Sequence, residues 1–149
     1  MCPTIEVQSK VSTTIELAEH TYNMLADAIV ADSSVTYDGC IQTKGELYFE
    51  GKGYLNVKGG LKHAIYSKQG ITFGGGDFTI DYAASDAIHA KDYVHVLNGN
   101  IAIDSIMQDG IDADKGYIDI QGGNVNVSVY NNNRKALKCD STFTMNAGM

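Results

Sequence analysis

Pairs of apolar residues recur along most of this chain, and a single residue, in most cases polar, separates the two members of each pair. The first set of pairs comprises Leu47/Phe49, Ile71/Phe73, Val94/Val96, Ile118/Ile120 and Phe143/Met145. A second set follows most of the first and comprises Leu55/Val57, Phe78/Ile80, Ile101/Ile103 and Val125/Val127. A period of two residues is typical of a β-strand that buries one face. We therefore predict a chain built mainly of short strands.

The pairs repeat at a nearly constant interval, which glycines mark. These glycines are Gly53, Gly76, Gly99, Gly123 and Gly148. A unit of about 23 residues cannot bury its own apolar face, so successive units must stack. The bends are too short for helical crossovers, and the LxxLxL pattern of leucine-rich repeats is absent. A β-sandwich would not keep so regular a register. The pattern predicts an all-β parallel β-helix of about five to six coils of 23–26 residues, with glycines stacked at one corner.

The first 36 residues are less regular than the rest. The segment from Ile15 to Asp32 fits an amphipathic helix with Leu17, Met24 and Leu25 on one side, and it equally fits an opening strand followed by a loop. Residues 1–36 are thus interpreted as an incoming coil and loop. The whole chain, 1–149, is predicted to form a single β-helix domain.

The composition of the chain disfavours several classes of function. The chain has 149 residues, 18 acidic against 11 basic, and a formal net charge of -7, which disfavours nucleic acid as a partner. No apolar run is long enough to span a membrane. Three cysteines without a CxxC motif predict neither a disulfide framework nor a zinc-finger site. No signal peptide opens the sequence, and both ends look cut from a longer domain, so end-to-end self-association of open coils is an expectation.

Stacking turns residues one repeat apart into neighbours, and several of these neighbours are acidic. Asp86 and Asp109 occupy the same place in adjacent repeats, and Asp112 and Asp114 follow on an outward edge, with Asp92 in the preceding repeat. Carboxylates this close repel unless a cation lies between them, and calcium prefers such oxygen ligands. We predict a calcium site there. A solvated acidic edge without an ion remains an alternative, as does zinc bound through His63 and His89.

A second set of outward residues is basic and aromatic. Lys44, Lys68, Lys91 and Lys115 each precede a predicted strand by three residues, and four stacked ammonium groups would attract an anionic polymer such as a uronate. Tyrosine rings present flat apolar faces to sugars. The alternative is an ordinary β-helix surface. The predicted polysaccharide contacts are Lys68, Lys91, Lys115, Tyr66, Tyr93, His63 and His89.

Four segments together resemble a family of secreted bacterial carbohydrate-binding proteins. They are EHTYNMLAD from Glu19, GELYFEGKGYLNVKGGLKHAIYSK from Gly45, SDAIHAKD from Ser85 and DGIDADKG from Asp109. The resemblance implies a right-handed parallel β-helix, similar to calcium-dependent pectate lyases, that binds calcium and plant cell-wall polysaccharides such as cellulose and pectin. It implies that VSTTIEL from Val11 is a strand, and an extracellular or cell-surface location. The family's calcium-ligand bends match His63, Asp86, Asp109, Asp112 and Asp114 here.

Three functions follow as hypotheses. The first is a non-catalytic, calcium-dependent module that binds pectin-type uronate or cellulose. The second is a calcium-dependent polysaccharide lyase whose base is Lys91 or Lys115; carboxylates near a lysine raise its pKa, which disfavours this role. The third is a structural or adhesive segment of a surface protein.

Overall fold

A computed structural model describes residues 4–27 and 37–146, with all side chains in these ranges except that of Ser105. Within these residues the chain forms seventeen short strands and no helix. No helix there is thus long and apolar enough to cross a bilayer. The strands are β1 (Ile5–Val7), β2 (Thr13–Leu17), β3 (Tyr22–Ala26), β4 (Gly39–Thr43), β5 (Leu47–Gly51), β6 (Tyr54–Gly59), β7 (His63–Ser67), β8 (Gly70–Phe73), β9 (Asp77–Ala83), β10 (Ile88–Ala90), β11 (Tyr93–Val96), β12 (Asn100–Ile106), β13 (Ile111–Asp112), β14 (Tyr117–Ile120), β15 (Asn124–Val129), β16 (Leu137–Lys138) and β17 (Phe143–Met145).

The strands form three sheets, and every third strand along the chain belongs to the same sheet. Sheet 1 has the order β1-β4-β7-β10-β13-β16, sheet 2 runs β2-β5-β8-β11-β14-β17, and sheet 3 runs β3-β6-β9-β12-β15. All pairings are parallel. Each coil therefore gives one strand to each sheet, and the predicted parallel β-helix is confirmed. The described strands make five coils and two strands of a sixth.

The register between coils follows the sequence repeat. Ile65 pairs with Ile88, and Ile88 with Ile111, so neighbours are 23 residues apart. The first coil is longer, because Ile5 pairs with Ile41. Most of the extra residues lie between β3 and β4, where the chain is outside the described residues from 28 to 36. Residues in register in successive coils are called a column below.

The N-terminal segment is a coil of strands, so the amphipathic-helix alternative is wrong for residues 15–27. β2 pairs with β5 along its length, Thr13 opposite Leu47 and Leu17 opposite Gly51. β3 likewise pairs with β6. The β-branched residues Thr13 and Ile15 favour an extended backbone, and partner strands that supply every hydrogen bond outweigh a weak helical periodicity.

The apolar pairs point inward, as their alternation predicted. Phe49, Phe73 and Phe78 are 2% exposed or less, and their rings contact one another at centroid distances of 5.0–5.1 Å. Phe143 and Met145 differ, at 47% and 54% exposed, because β17 is the last described strand of sheet 2. End-to-end self-association through such exposed residues stays a prediction.

Glycines stack at the corner before sheet 3, as expected from their spacing. Gly76, Gly99 and Gly123 have φ angles of 93°, 102° and 74°, a region that only glycine adopts without strain. A Cβ at Gly99 would lie 2.6 Å from the carbonyl oxygen of Gly76, and one at Gly123 would lie 2.2 Å from that of Gly99. Adjacent coils can therefore approach this closely only because the corner lacks side chains.

Candidate functional site

One column at the start of sheet 1 uses its side chains to bind the backbone of the next coil. His63 Nδ1 accepts the N–H of Asp86 at 3.2 Å, and Asp86 Oδ1 accepts the N–H of Asp109 at 2.9 Å. Asp109 Oδ1 in turn accepts the N–H of Lys135 at 2.8 Å. These side chains therefore satisfy buried backbone donors at a corner where the sheet ladder begins.

Three carboxylates converge beside this column. Potential ligand atoms of Asp86, Asp109 and Asp112 all lie within 4.8 Å of one another, and the three residues are 4–6% exposed. We call them the carboxylate cluster. One oxygen of each is taken by a backbone N–H, Asp112 Oδ1 accepting that of Asp114 at 2.7 Å. The prediction that Asp86 and Asp109 are neighbours is confirmed.

The second oxygens of the carboxylate cluster contact Lys138 and His89. Lys138 Nζ lies 2.8 Å from Asp112 Oδ2 and 3.6 Å from Asp109 Oδ2. His89 Nδ1 lies 3.0 Å from Asp86 Oδ2 and 3.8 Å from Asp112 Oδ2. The hydrogen bond to Asp112 raises the pKa of Lys138. A positive charge therefore already balances part of the cluster.

Lys138 is a residue that the sequence reasoning missed. It pairs in register with Asp112, one coil further along, so its side chain lies directly over the cluster. The repeat carried the signal, because a column of Tyr66, His89, Asp112 and Lys138 follows from the spacing of the aliphatic residues.

The rings of His63, Tyr66 and His89 stack beside the cluster. The centroids of His63 and His89 are 4.5 Å apart, and Tyr66 lies 5.6 Å from each. His63 is 5% exposed and Tyr66 6%, so burial argues against the sugar contacts expected of these two residues. Burial, and then the charge of neighbouring His89, lowers the pKa of His63 to about 4.

Asp86 is held ionised within this group. Burial alone would raise its pKa, but the hydrogen bonds from His89 and from the backbone of Asp109 hold the pKa below its ordinary value. A carboxylate that stays charged while nearly buried is a strong cation ligand. Asp86 is shared between the carboxylate cluster and a second group formed with His63 and His89.

The carboxylate cluster fits a hard cation better than the second group fits zinc. Its donors are all oxygen, and calcium takes six to eight oxygens from carboxylates, carbonyls and water. In the second group, Nδ1 of His63 is already the acceptor for a backbone N–H, and a metal there would break that bond. The donor types of the carboxylate cluster are thus those that a hard cation prefers, whereas zinc in the second group would cost this hydrogen bond.

Two of the five predicted metal ligands lie outside the carboxylate cluster. Asp92 is exposed and is not part of it. Asp114, with a φ of 45°, accepts a hydrogen bond from Lys91 Nζ at 2.8 Å. This bond lowers the pKa of Asp114 and raises that of Lys91.

The predicted column of four lysines is wrong at its last position. Ile88 pairs with Ile111 and Val94 with Ile118, so the corner before β14 contains one residue more than the corner before β11. This extra residue puts Asp114, and not Lys115, next to Lys91. Lys115 is exposed and lies outside this column. A carboxylate therefore replaces the fourth ammonium group of the predicted column.

A group of rings lies on the outer face of sheet 2. Tyr93 stacks with Tyr117 at a centroid distance of 5.6 Å and contacts the tilted ring of His95 at 4.5 Å. The hydroxyl of Tyr93 donates to Glu46 Oε1 at 2.8 Å, and its ring covers Gly70. We call Tyr93, His95 and Tyr117 the ring strip. The sequence predicted Tyr93 as a sugar contact, but gave no sign of a side chain reaching across two coils.

A pH dependence of stability follows from His63. Its pKa of about 4 in the folded chain lies below the ordinary 6.5. At pH values between these two, the imidazole is protonated in the unfolded chain and neutral in the folded chain. Stability should be full above pH 6.5 and fall as the pH drops towards about 4, by at most about 1.4 kcal/mol per pH unit. We expect His63→Asn to flatten this dependence, because the Asn oxygen still accepts the N–H of Asp86.

Denaturant titrations at several pH values, with chelator present, measure this effect. His20→Asn is the matched control, since His20 is exposed and its φ of 63° suits asparagine. An unchanged slope in His63→Asn, or an equal flattening in His20→Asn, would contradict the assignment.

Comparisons with known proteins agree with this picture. A family model described as a carbohydrate-binding domain-containing protein matches residues 1–149. A solved structure, described as a polysaccharide lyase-like protein from C. thermocellum in a gadolinium derivative, is similar with a TM-score of 0.77 and 22% identity. The similarity covers 97% of this chain and 69% of that chain, and at this identity it shows the fold alone. A search of curated proteins gives no match.

Proposed function

The chain belongs to the carbohydrate-binding domain-containing family, and on this premise we propose that it is a non-catalytic, calcium-dependent module that binds plant cell-wall polysaccharide. The acidic polymer of pectin is the ligand proposed for the calcium edge, with cellulose as the neutral alternative. Such ligands imply that the module acts outside the cell or on its surface. The observation that carries this proposal is the convergence of three nearly buried carboxylates on one point.

Calcium would be held by Asp86, Asp109 and Asp112. The ion would offset their mutual repulsion and leave ligand positions free for a uronate carboxylate or water.

Exposed lysines near the cluster would attract a uronate chain. Lys68, Lys91 and Lys115 are all exposed, and they lie at the corner between sheets 1 and 2. His89, half-buried beside the cluster, would meet a ligand carboxylate brought there by calcium. Since the lysines are flexible and solvated, we expect them to aid attraction more than affinity.

The lyase alternative is less well supported by the geometry. A lysine that removes a proton from a uronate needs a lowered pKa. The hydrogen bond to Asp114 raises the pKa of Lys91 instead. Lys115 is exposed to solvent, and its charge acts on the neighbouring Asp114 carboxylate. Binding without cleavage is therefore the function we propose.

Binding and cleavage assays on the whole chain test this proposal. We expect polygalacturonate to retain the protein with calcium and to release it with chelator, with no absorbance from unsaturated product. Product formation would favour the lyase, and loss of retention by both polygalacturonate and cellulose would favour a structural or adhesive role. Retention that ignores chelator would remove calcium from the proposal.

A substitution at Lys138 should strengthen calcium binding. The ammonium lies where a cation would bind Asp109 and Asp112, so the two compete. We expect Lys138→Met to raise calcium affinity by about tenfold, equivalent to about 1.4 kcal/mol, and to lower the stability of the metal-free chain. Calorimetric titration with calcium, and melting with and without chelator, measure both effects.

The matched control is Lys58→Met. Lys58 has the same 45% side-chain exposure as Lys138 but pairs with Asp81, at 3.7 Å, on sheet 3. It should leave calcium affinity unchanged. An equal change in both variants would mean that only the net charge matters, and weaker calcium binding in Lys138→Met would mean that the lysine does not compete.

A further inference from the structure

The ring of Tyr93 lies flat on the outer face of sheet 2. Gly70 is its register partner in the preceding coil, and a Cβ at Gly70 would lie 2.1 Å from Tyr93 Cζ and 2.3 Å from Cε1. The ring therefore occupies the space that any other residue at position 70 would fill. Gly70 is buried beneath it, while Tyr93 itself is half-buried.

The orientation of this ring is fixed before any ligand arrives. Its hydroxyl donates to Glu46 Oε1 at 2.8 Å, two coils away, and burial together with Glu46 raises the pKa of Tyr93. Glu46 also accepts from Ser12 at 3.3 Å. The ring is fixed by the backbone at one end and by Glu46 at the other, so it loses little conformational freedom when a ligand binds, which favours affinity.

Neighbouring rings extend this surface along the β-helix axis. Tyr117 stacks with Tyr93, and His95 contacts Tyr93 with its ring tilted by 32°. His95 Nε2 lies 3.2 Å from the Tyr117 hydroxyl. Tyr117 and Tyr48 are each 37% exposed. The result is a strip of ring faces bordered by hydroxyl and imidazole groups. Sugar rings pack their C–H faces on such surfaces, while their hydroxyls bond to the polar border.

The charge of sheet 2 selects against an acidic polymer. The six described strands of this sheet contain no lysine or arginine. Their outward residues include Glu16, Glu50 and Asp119, and Glu46 directly precedes β5. A uronate chain on this face would meet these carboxylates and no lysine or arginine of the six described strands, which costs binding energy through like-charge repulsion. A neutral chain meets no such penalty.

We propose that the ring strip is a second polysaccharide site, independent of calcium, which takes a neutral β-linked chain. Such a chain is a flat ribbon of sugar rings, and the strip offers it the rings of Tyr93 and Tyr117, whose planes lie within 24° of each other. The inference rests on the proposed function in one respect, that the ligand is a polysaccharide. The calcium edge on sheet 1 and the ring strip on sheet 2 would then serve polymers of different charge.

Calorimetric titration with cellohexaose, in chelator, tests this site. We expect the native chain to bind and Tyr93→Ala to weaken binding by at least tenfold. Gly70→Ala should weaken it several-fold, because the added methyl group pushes the ring out of place. Tyr93→Phe, which keeps the ring and loses only the bond to Glu46, should bind nearly as well as the native chain.

Tyr22→Ala is the matched control. Tyr22 is also exposed, at 66%, and stacks with Tyr54 at 4.4 Å, but on sheet 3. It should bind cellohexaose normally. The proposal is overturned if the native chain does not bind cellohexaose in chelator, if Tyr93→Ala binds it normally, or if Tyr22→Ala loses as much.

A second ligand separates this proposal from the calcium proposal. Tyr93→Ala should still bind polygalacturonate when calcium is present, because the carboxylate cluster is intact. Failure of the calcium edge would abolish polygalacturonate binding and leave cellohexaose binding unchanged. Failure of the ring strip would do the reverse.

Discussion

Phe73→Ala should lower the free energy of unfolding by about 3–5 kcal/mol. The ring is 0% exposed and lies between two others, 5.1 Å from Phe49 and 5.0 Å from Phe78. Truncation removes its buried area and leaves a cavity that aromatic neighbours, held by strands on either side, cannot fill. Because each coil is supported only by the coils next to it, the loss should spread to both neighbours. Denaturant unfolding followed by circular dichroism measures it.

Phe143→Ala provides the control for this substitution. Phe143 lies in the same sheet and undergoes the same chemical change, but it is 47% exposed at the last described strand. We expect a loss below about 1 kcal/mol there, since little buried area is removed. Equal losses in the two variants would show that the aromatic stack does not hold the coils together.

The fold was predictable because one constraint repeats along the chain. Each coil of about 23 residues returns the same apolar positions to the interior, so Ile65, Ile88 and Ile111 had to come into register. That register also placed Asp86 beside Asp109. Local pattern failed where the repeat is weakest, in the first coil, whose identity as strands depends on pairing with β5 and β6.

The site was only partly predictable, for two physical reasons. A single extra residue before β14 changes the neighbour of Lys91 from Lys115 to Asp114. The repeat period does not show at which position of the corner the extra residue is inserted. Long side chains also contact residues beyond the adjacent coil. The contact of Tyr93 with Glu46 spans two coils and exists only because Gly70 leaves room.

In the proposed calcium site, the side chains that bind the backbone of the next coil would also bind the ion, through different atoms. Oδ1 of Asp86 and Oδ1 of Asp109 each accept a hydrogen bond from a backbone N–H of the next coil. Oδ2 of each residue is thus left for a cation. Asparagine retains the Oδ1 acceptor but carries no charge. Exchanging aspartate for asparagine should thus separate the two roles.

Asp109→Asn combined with Asp112→Asn should abolish calcium binding, with a loss of affinity of at least a hundredfold. Two unit charges about 5 Å apart repel by about 3 kcal/mol at an effective dielectric constant of 20, so the metal-free variant should be at least as stable as the native chain. At calcium concentrations a hundredfold above Kd, the native chain should gain about 2.7 kcal/mol, and the variant nothing. Melting curves with calcium and with chelator show both effects together.

Asp104→Asn with Asp119→Asn is the charge-matched control, because it removes two carboxylates from sheets 3 and 2 and leaves the carboxylate cluster intact. It should keep the calcium-induced rise in melting temperature and calcium-dependent retention on polygalacturonate. Full calcium stoichiometry in the Asp109→Asn, Asp112→Asn variant would place the ion elsewhere. A metal-free variant less stable than the native chain would show instead that the attraction between Lys138 and these carboxylates outweighs their repulsion.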